Sequence, residues 1–492
     1  VYTFAPEAEG HGTDAVIEAF HYNEGKIRGR VPIIKTIASA ITIGSGGSAG
    51  REGPIAQIGA GFASYVATKL HLTPREREIL VMVGTSAGIG SIFKAPFGGA
   101  LFGSEVLYKR DYEVEVFIPA LIATFIAYII FSLFVGWSAI FETPHYVLIP
   151  AELPFYVILG IIMGIAARLY VITFYSARDH FFRRIRIPPH FKPVIGGFFV
   201  GIIGYYYPQV LATGYGALQL AMYGKLAIEA MLIIGILKIF ATSSTVSSGG
   251  SGGVFAPSLV IGGMLGGVLG LFFKMLFPDI IVDPAVFVLI GMASFFAGAA
   301  KVPLASIVMV GEMTGNYYIL APAILASVFS YLVAGEYSIY EKQLDEKVVS
   351  PVHIPEYLSS ILVSIKSKDA LTMDAPVITM DSTLWEAKEL MLKRKRLSLI
   401  VTENGNHFKG IITIHDILKE PFHLWELKKV SELVKYPQAY VTLADDILTA
   451  LGRMMEYKLF CIAVVNNDKD KKVVGEIEYR DIIKAIYYKT KE

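Results

Sequence analysis

Gly44-Ser-Gly-Gly-Ser-Ala-Gly-Arg-Glu-Gly-Pro-Ile-Ala-Gln-Ile58 is the stretch that decides the fold. An apolar run leads into it, and a helical apolar pattern resumes at Pro54, a residue suited to the first turn of a helix. The glycines leave backbone amides uncovered at that helix start, where the helix dipole adds partial positive charge. The stretch therefore predicts an anion site, with the carboxylate of Glu52 at its mouth competing for the same amides.

A second copy of the stretch shows that the chain contains an internal repeat. Ser248-Gly-Gly-Ser-Gly-Gly-Val-Phe-Ala-Pro257 repeats residues 45–54 at a constant separation of 203 residues. Further matching pairs extend the repeat on both sides: Lys35 with Lys238, Gly10-His-Gly12 with Gly214-Tyr-Gly216, Lys94-Ala-Pro96 with Lys301-Val-Pro303, and Glu105 with Glu312. We predict repeat halves at about residues 10–138 and 151–334. Two halves that each carry a glycine-broken helix indicate a transporter with its site at the membrane midplane.

Composition divides the chain into two regions. Of the 492 residues, 54% are hydrophobic and 18% charged, against ~25% charged residues in ordinary soluble domains. Apolar residues concentrate before about residue 340, which predicts a multi-pass α-helical membrane domain over residues 1–345. The net charge of +1 favours no nucleic acid partner, and the lone Cys461 is typical of a reducing compartment. The chain enters its first motif almost at Val1, so we expect N-terminal helices to be missing.

The remainder of the chain is predicted to be an α/β tail. After a linker at residues 346–366, the order β-α-β-β-α occurs twice, at residues 367–427 and 428–490. Gly410 and Asp416 are six residues apart in the first unit, as are Gly475 and Asp481 in the second. The two units are therefore predicted to be tandem copies of one small domain.

Several charged residues fall inside apolar segments. A charge at the centre of a membrane helix costs ~2.5–3.5 kcal/mol, so such residues tend to mark function or a specific partner. For Glu105 and Glu312 we favour symmetric helix capping, or a bond to a neighbouring loop, over a role in transport. Asp14 stands at a predicted helix start, where we expect it to act as an N-cap that points away from the anion.

Five motifs carry a resemblance to CLC chloride channels and chloride/proton exchangers. They are Gly10-His-Gly12, Gly50-Arg-Glu-Gly-Pro54, Gly253-Val-Phe-Ala-Pro257, the later-helix pattern Gly291-Met-Ala, Lys301-Val-Pro303 and Gly311-Glu-Met-Thr-Gly-Asn316, and Ser338-Ile-Tyr-Glu341. The tail resembles paired CBS domains, so the resemblance runs from about Pro6 to Tyr488. It implies a CLC-like inverted repeat followed by a tandem CBS domain. It also implies a homodimer in the cell membrane with one pore per subunit and a cytoplasmic tail.

The resemblance also implies roles for individual residues. Glu52 would be the gating glutamate, whose side chain occupies an anion position and leaves it when protonated. The chloride-binding residues would be His11, Gly12, Arg51, Gly53, Val254, Phe255 and Tyr340. The family has no enzymatic activity, and no metal or required cofactor is expected. The tail would hold ATP, ADP or AMP at Thr413, Asp416 and Asp481, or would bind no nucleotide and serve as a dimerisation module.

Departures from the family pattern bear on mechanism. His11 replaces a small residue, and Asp14 replaces a proline. Val106 stands where familiar exchangers carry a glutamate that passes protons inward. Because valine carries no proton, we predict a voltage- or pH-gated chloride channel with passive conduction. The alternative is a chloride/proton antiporter of the same family, with His11 as a substitute relay.

Two readings from other classes are less well supported. A soluble nucleotide-binding enzyme would need the Lys-Ser/Thr of a phosphate-binding loop, which the Gly44 stretch lacks. A CBS-regulated carrier of another ion, such as magnesium, would need clustered carboxylates in the membrane domain. The sequence leaves open the selectivity among anions and the gating stimulus.

Overall fold

The structure is a computed structural model that describes residues 1–143, 146, 149–404 and 406–490. The chain forms two compact units, Val1–Val352 and His353–Glu492. The first unit is built from helices: α1 Thr13–Tyr22, α2 Val31–Gly44, α3 Glu52–Lys69, α4 Pro74–Ile92, α5 Pro96–Glu105, α6 Val114–Val135, α7 Leu153–Ser176, α8 Lys192–Tyr206, α9 Tyr215–Met222, α10 Ile228–Ser247, α11 Phe255–Leu276, α12 Val286–Ala300, α13 Pro303–Thr314 and α14 Leu320–Ala334.

The helices of the first unit have the lengths and surfaces of membrane helices. Within the described residues, five helical segments are long and apolar enough to cross a bilayer, and α2, α12 and α13 are shorter apolar helices. α6 exposes a row of large apolar side chains: Ile118, Ile122, Phe125, Ile126 and Ile130. Exposed apolar rows of this size are stable against lipid rather than water. The prediction of a multi-pass α-helical membrane domain is confirmed.

The two halves are inverted relative to each other. Both carboxylate oxygens of Glu105, at the end of α5, accept backbone N–H bonds from Leu304 and Ala305 in the first turn of α13, at 3.1 and 2.8 Å. Glu312, near the end of α13, accepts the amides of Phe97 and Gly98 in the first turn of α5, at 3.2 and 2.8 Å. The end of α5 therefore lies at the start of α13, and the end of α13 lies at the start of α5. Because α5 and α13 are equivalent in the repeat, the halves run in opposite directions.

Matching glycines bring the helices of each half together. A Cβ atom on Gly59 would lie 2.1 Å from the carbonyl oxygen of Gly84, so α3 and α4 cross in backbone contact. The equivalent crossing of α11 and α12 places a Cβ on Gly262 2.4 Å from the Gly291 oxygen. Such crossings of small residues replace the hydrophobic driving force that is absent between helices in lipid.

The second unit contains the two predicted β-α-β-β-α repeats. Its elements are α15 Ile354–Ser364, β1 Val377–Thr379, α16 Leu384–Arg394, β2 Ser398–Glu403, β3 His407–Thr413, α17 Ile414–Leu418, β4 Tyr440–Thr442, α18 Ile447–Glu456, β5 Cys461–Val465, β6 Val473–Glu478 and α19 Tyr479–Lys489. In each repeat the first strand pairs parallel with the second, which pairs antiparallel with the third. Their central strands, β2 and β5, are buried almost throughout, which explains their continuous apolar runs.

Candidate anion pathway

The two glycine-rich loops meet at the start of α3 and α11. Gly50 and Gly253 exchange two backbone hydrogen bonds, N to O at 2.7 Å and 2.6 Å, and so form an antiparallel bridge. Gly46 and Gly249, the matching glycines that end the preceding turns, have φ values of 96° and 103°. This left-handed backbone strongly favours glycine, so the glycines of both loops are needed to direct the chain into the bridge.

The first motif, at residues 10–12, joins the other two at the same point. A Cβ atom on Gly53 would lie 2.0 Å from the carbonyl oxygen of His11 and 3.2 Å from the Cα of Gly253. A Cβ on Gly12 would lie 2.9 Å from the Gly53 oxygen. The structure therefore brings three of the motifs singled out in the sequence into direct backbone contact.

The carboxylate of Glu52 occupies the centre of this contact. Its Oε1 accepts a hydrogen bond of 2.6 Å from the backbone amide of Ala256, in the first turn of α11. Its Oε2 is buried and, within the described structure, has no hydrogen-bond partner. The residue as a whole is 2% exposed. A carboxylate therefore sits where two helix starts from opposite halves direct their amides, which is the position that helix dipoles prepare for an anion.

Glycine is required around this carboxylate for space. The three atoms nearest to a Cβ on Gly50 all belong to the Glu52 carboxyl group, at 1.9 to 2.4 Å. A Cβ on Gly253 would lie 2.8 Å from Oε1 of Glu52 and 2.8 Å from the Gly53 nitrogen. The loops therefore leave a recess that fits the Glu52 carboxylate or a small anion.

Aromatic groups bound the recess beyond the loops. Phe255, the first residue of α11, packs against Phe93 and Phe296 with ring centroids 4.6 and 4.3 Å apart. Tyr340 is buried, and its ring centroid lies 5.6 Å from that of His11. The side chain of Arg51 is exposed, whereas Val254 is buried and directly precedes α11. The surroundings exclude water without placing a full cation against the anion.

The two ring nitrogens of His11 have different surroundings. Its Nε2 lies 3.2 Å from Oδ2 of Asp14, while its Nδ1 is buried and has no hydrogen-bond partner in the described structure. Asp14 in turn accepts the backbone amides of Glu341 and Lys342 at 3.3 and 3.1 Å. The ring therefore lies between the buried interior and Asp14, whose carboxylate binds the loop that contains Tyr340.

The prediction that Asp14 caps α1 is wrong. Gly12 is the N-cap residue, and its φ of 91° turns the chain into the helix, so Asp14 lies in the first turn. Its carboxylate is available to the segment at residues 341–342 because the backbone geometry of Gly12 already starts the helix without a side-chain cap. Asp14 points towards the tyrosine loop and not away from the site.

A cavity of about 400 Å³ leads to these residues. His11, Gly12 and Asp14 form part of its wall. The basic residues Arg178, Arg183 and Lys192 line the same cavity. A vestibule with basic walls raises the local concentration of anions, which suits an entrance to an anion pathway.

Family membership follows from comparison with known proteins. The family model described as voltage gated chloride channel matches residues 1–335, and the CBS domain model matches residues 368–423 and 430–488. The chain belongs to the CLC family. It is an anion transporter with a C-terminal pair of CBS domains.

Relatives within the CLC family include proteins named as channels and as exchangers. A ClcB-like chloride channel protein of Ralstonia nicotianae is 30% identical over 352 residues, 70% of this chain and 82% of that protein. The H(+)/Cl(-) exchange transporter ClcA of Klebsiella pneumoniae is 31% identical over 341 residues, 68% of this chain and 72% of its own. The crystal structure of a slow cyanobacterial Cl⁻/H⁺ antiporter matches with a TM-score of 0.61 at 26% identity, covering 69% of this chain and 81% of that one.

Two buried lysines hold the loops of this CLC domain. Nζ of Lys35 donates to the carbonyl oxygens of Ala8 and Gly10 at 3.1 and 2.8 Å. Lys238, its repeat equivalent, donates to Val210 and Ala212 at 2.8 and 2.7 Å. The lysines that the sequence marked as unusual are therefore positioning groups, each of which fixes the loop in front of a helix start.

Val106 follows Glu105 at the end of α5 and is fully buried. The valine side chain cannot hold a proton, and both oxygens of Glu105 accept amides of α13. For Glu105, the predicted helix-capping role is the one that the structure shows. The capped helix belongs to the opposite half of the repeat.

Tyr215 is a site residue that sequence reasoning missed. Its hydroxyl is buried, makes no hydrogen bond within the described structure, and interacts electrostatically with Glu52. Its ring packs against Phe141 with centroids 5.0 Å apart. The repeat contained the signal, because Tyr215 stands between Gly214 and Gly216 as His11 stands between Gly10 and Gly12. In the structure, however, the equivalent helix caps are Gly12 and Gly214, so His11 precedes the start of α1 whereas Tyr215 is the first residue of α9.

The predicted nucleotide residues of the CBS pair lie at two helix starts. Thr413 caps α17, and its hydroxyl donates to Asp416 at 2.6 Å; Lys435 donates to the same carboxylate at 2.7 Å. Although burial alone would raise it, these bonds hold the pKa of Asp416 below its usual value. Asp481 accepts the backbone amide of Glu478, the N-cap of α19. The two helix starts are equivalent, but only the first has a hydroxyl at the cap.

Proposed function

We propose that this protein exchanges chloride for protons across the membrane. The observation that carries the proposal is the position of Glu52, whose carboxylate takes an amide of α11 inside the anion recess. While it is charged, this carboxylate competes with chloride for the same amides. When protonated it loses that attraction and leaves, so movement of the anion and titration of one group are linked.

The comparisons favour the exchanger alternative over the predicted channel. Relatives from several bacteria are named H(+)/Cl(-) exchange transporters, at 30 to 32% identity. Two similar structures are described as proton antiporters, one for chloride and one for fluoride. Passive chloride conduction is the second candidate, because Val106 leaves the usual inner proton position apolar.

Proteoliposomes distinguish the two candidates. Vesicles that contain the full chain are given a chloride gradient without a proton gradient, and external pH is followed with an electrode. We expect chloride movement to drive protons in the opposite direction, although no proton gradient is present at the start. Glu52→Gln should abolish the proton movement and leave chloride flux. Collapse of the chloride gradient without proton movement in the wild-type protein would establish passive conduction instead.

We further propose a homodimer in the cell membrane with the CBS pair in the cytoplasm. The basic run at residues 178–192 supports this orientation, because cytoplasmic loops carry an excess of arginine and lysine. A protease added to sealed inside-out vesicles should remove the tail, whereas right-side-out vesicles should protect it. Light scattering of the purified protein should give twice the chain mass of 53.9 kDa after correction for detergent.

The CBS pair is proposed to bind one adenine nucleotide, at the Thr413 and Asp416 helix start. There the cap is a neutral hydroxyl, which accepts a phosphate without repulsion. At the equivalent start, the Glu478 carboxylate caps α19 and pairs with Arg396. A negative cap that already has a cationic partner disfavours phosphate.

Calorimetry of the full-length protein with ATP, ADP and AMP tests the nucleotide site. Binding of one nucleotide per chain that Asp416→Ala weakens and Asp481→Ala leaves unchanged would support the first helix start. Absence of binding with any of the three nucleotides would make the CBS pair a dimerisation module.

A further inference from the structure

We propose that His11 and Asp14 form the inner proton relay that serves Glu52. This inference rests on the proposed exchange and names the route by which the gating carboxylate reaches the cytoplasmic side. It assigns to two residues of α1 and its preceding loop the function that Val106 lacks.

The first argument is that a proton from Glu52 needs titratable groups along the way. Glu52 is 2% exposed and therefore has no direct contact with bulk water in this structure. Val106 is fully buried and apolar, and the Glu105 carboxylate is held by two amides of α13. The groups that connect the recess with the vestibule are instead those of the first motif.

The second argument is the geometry of the imidazole. His11 is 8% exposed, and its two nitrogens have different surroundings. Nε2 lies 3.2 Å from Asp14, whose side chain reaches the vestibule and is 21% exposed. Nδ1 is buried and unpartnered in the described structure. The backbone of His11 touches Gly53, the residue next to Glu52. An imidazole with one nitrogen beside a carboxylate and the other buried without a partner in the described structure can carry a proton from one side of its ring to the other.

The groups that face His11 come from several elements. Asp14 lies on α1, and Tyr340 lies on the loop that follows α14. The ring centroid of Tyr340 is 5.6 Å from that of the imidazole. Arg178 and Arg183 line the vestibule from the segment between α7 and α8, and Lys192 lines it from the first residue of α8. Tyr2 and Glu9 line it from the N-terminal segment. Phe174 packs 6.5 Å from the ring. Asp14 is the acceptor in direct contact and balances the charge of a protonated His11.

The proton transfer needs no reactant other than water and the proton that it carries. A hydronium ion in the vestibule gives a proton to Asp14 and becomes water, and Asp14 passes the proton to Nε2 of His11. Nδ1 releases a proton to a water in the inner pathway, and that water gives one of its own protons to Oε2 of Glu52. Each group returns to its starting state when the ring exchanges tautomers, and no other bond forms or breaks.

The test compares variants of the full chain in proteoliposomes. His11→Gln keeps the size and hydrogen bonding of the side chain but does not titrate, and Asp14→Asn removes the charge. His180→Gln is the matched control, because His180 is exposed in the π-helical turn after α7. Relays of this kind contribute on the order of 10²–10⁴ in rate, so His11→Gln should lower chloride-driven proton movement at least about tenfold. The measured quantity is the number of protons moved per chloride, because His11 also borders the proposed anion pathway and its replacement alters that pathway as well.

The ratio of protons to chloride decides the outcome. A low ratio in His11→Gln and Asp14→Asn, with a wild-type ratio in His180→Gln, supports the relay. A wild-type ratio in His11→Gln overturns it, whereas a misfolded variant would lose chloride flux as well.

A second measurement tests the relay even if the wild-type protein moves no protons and the proposed exchange is wrong. In excised patches, acidifying the cytoplasmic face should increase chloride current by protonating Glu52 through the relay. His11→Gln should blunt this response and leave the response to external pH intact. An unchanged cytoplasmic pH response in His11→Gln would overturn the relay independently of exchange.

Discussion

The backbones of Gly50 and Gly253 exchange two hydrogen bonds across the pseudo-symmetry of the molecule, at 2.7 and 2.6 Å. Each glycine also faces the Glu52 carboxyl group, so that a side chain on either would displace it. The bridge therefore joins the two halves at the same place where it shapes the recess around the Glu52 carboxylate. A single methyl group added there should open the gate without removing its carboxylate.

Gly50→Ala should raise chloride flux at neutral pH several-fold and flatten its dependence on pH. The added Cβ would lie about 2 Å from the Glu52 carboxyl group, which must then leave the recess. Gly201→Ala in α8 is the control, because nothing lies within 4 Å of its Cβ position. Flux assays over pH 5 to 8 measure both effects. If Gly50→Ala behaves as Gly201→Ala does, the carboxylate does not block the pathway.

Glu52→Gln should give the same increase in flux by a different route. The amide side chain imitates the protonated acid and has no charge to hold it against the Ala256 N–H. The double variant Gly50→Ala with Glu52→Gln should therefore be no more active than either single one, as expected for two changes that act on one element. Additive increases would show that the recess and the gate are separate.

Tyr340→Phe should weaken halide binding about tenfold. Loss of a hydroxyl that donates to an ion costs ~1.5–3 kcal/mol, and each 1.4 kcal/mol is a factor of ten. Tyr337→Phe is the control, because that ring is partly exposed and stacks against Arg168 at 4.6 Å. Bromide titration calorimetry gives the dissociation constants. A larger effect at Tyr337 would identify it, rather than Tyr340, as the pore tyrosine.

Glu105→Gln should destabilise the membrane domain more than Glu312→Gln. Each carboxylate accepts two amides of the opposite helix start, a charge-assisted cap that contributes up to ~2 kcal/mol in partly buried sites. Glu105 is the more deeply buried of the two. Thermal unfolding in detergent measures the order, and chloride flux should survive in both. Loss of proton coupling in Glu105→Gln at unchanged stability would contradict a purely structural role.

The CBS pair should lose stability as pH rises from about 4.5 to 7. Burial raises the pKa of Glu476 to about 7, although the Arg396 guanidinium works in the opposite direction. In that window the folded state holds a proton that the unfolded state has released, so stability falls with pH by roughly 2 kcal/mol. Hydrogen exchange of β5 and β6 in the intact protein should show this fall.

Glu476→Gln should remove most of that pH dependence and protect the strands above pH 7. Glu456→Gln is the matched control, because Glu456 is exposed on the last turn of α18. Identical pH profiles for wild type and Glu476→Gln would show that another group titrates in this window.

Local signals made most of the fold predictable. Glycines before a proline, apolar runs and cap residues act within a few positions of themselves, so the sequence placed the helix starts at residues 52 and 255 and the tandem units of the tail. The repeat then implied two homologous halves, because two copies of a glycine-broken helix occur at a fixed separation. The anion recess at Glu52 followed from the same local chemistry.

Partners across the halves were beyond the reach of the sequence. The sequence predicted that Glu105 and Glu312 cap helices, but it did not identify the helix that each one caps. Its prediction that Asp14 caps α1 was wrong. It drew attention to His11 and passed over Tyr215, which stands between two glycines of the second half.

By itself, then, the sequence determined the membrane and tail regions, the repeat, the two helix starts and the presence of a carboxylate among their amides. Only the tertiary structure decided that Glu52 accepts the amide of Ala256, that α5 and α13 cap each other, and that His11 faces Asp14. The physical reason is that helix starts and breaks depend on neighbours along the chain. Contacts between residues about 200 positions apart depend instead on how two packed halves meet.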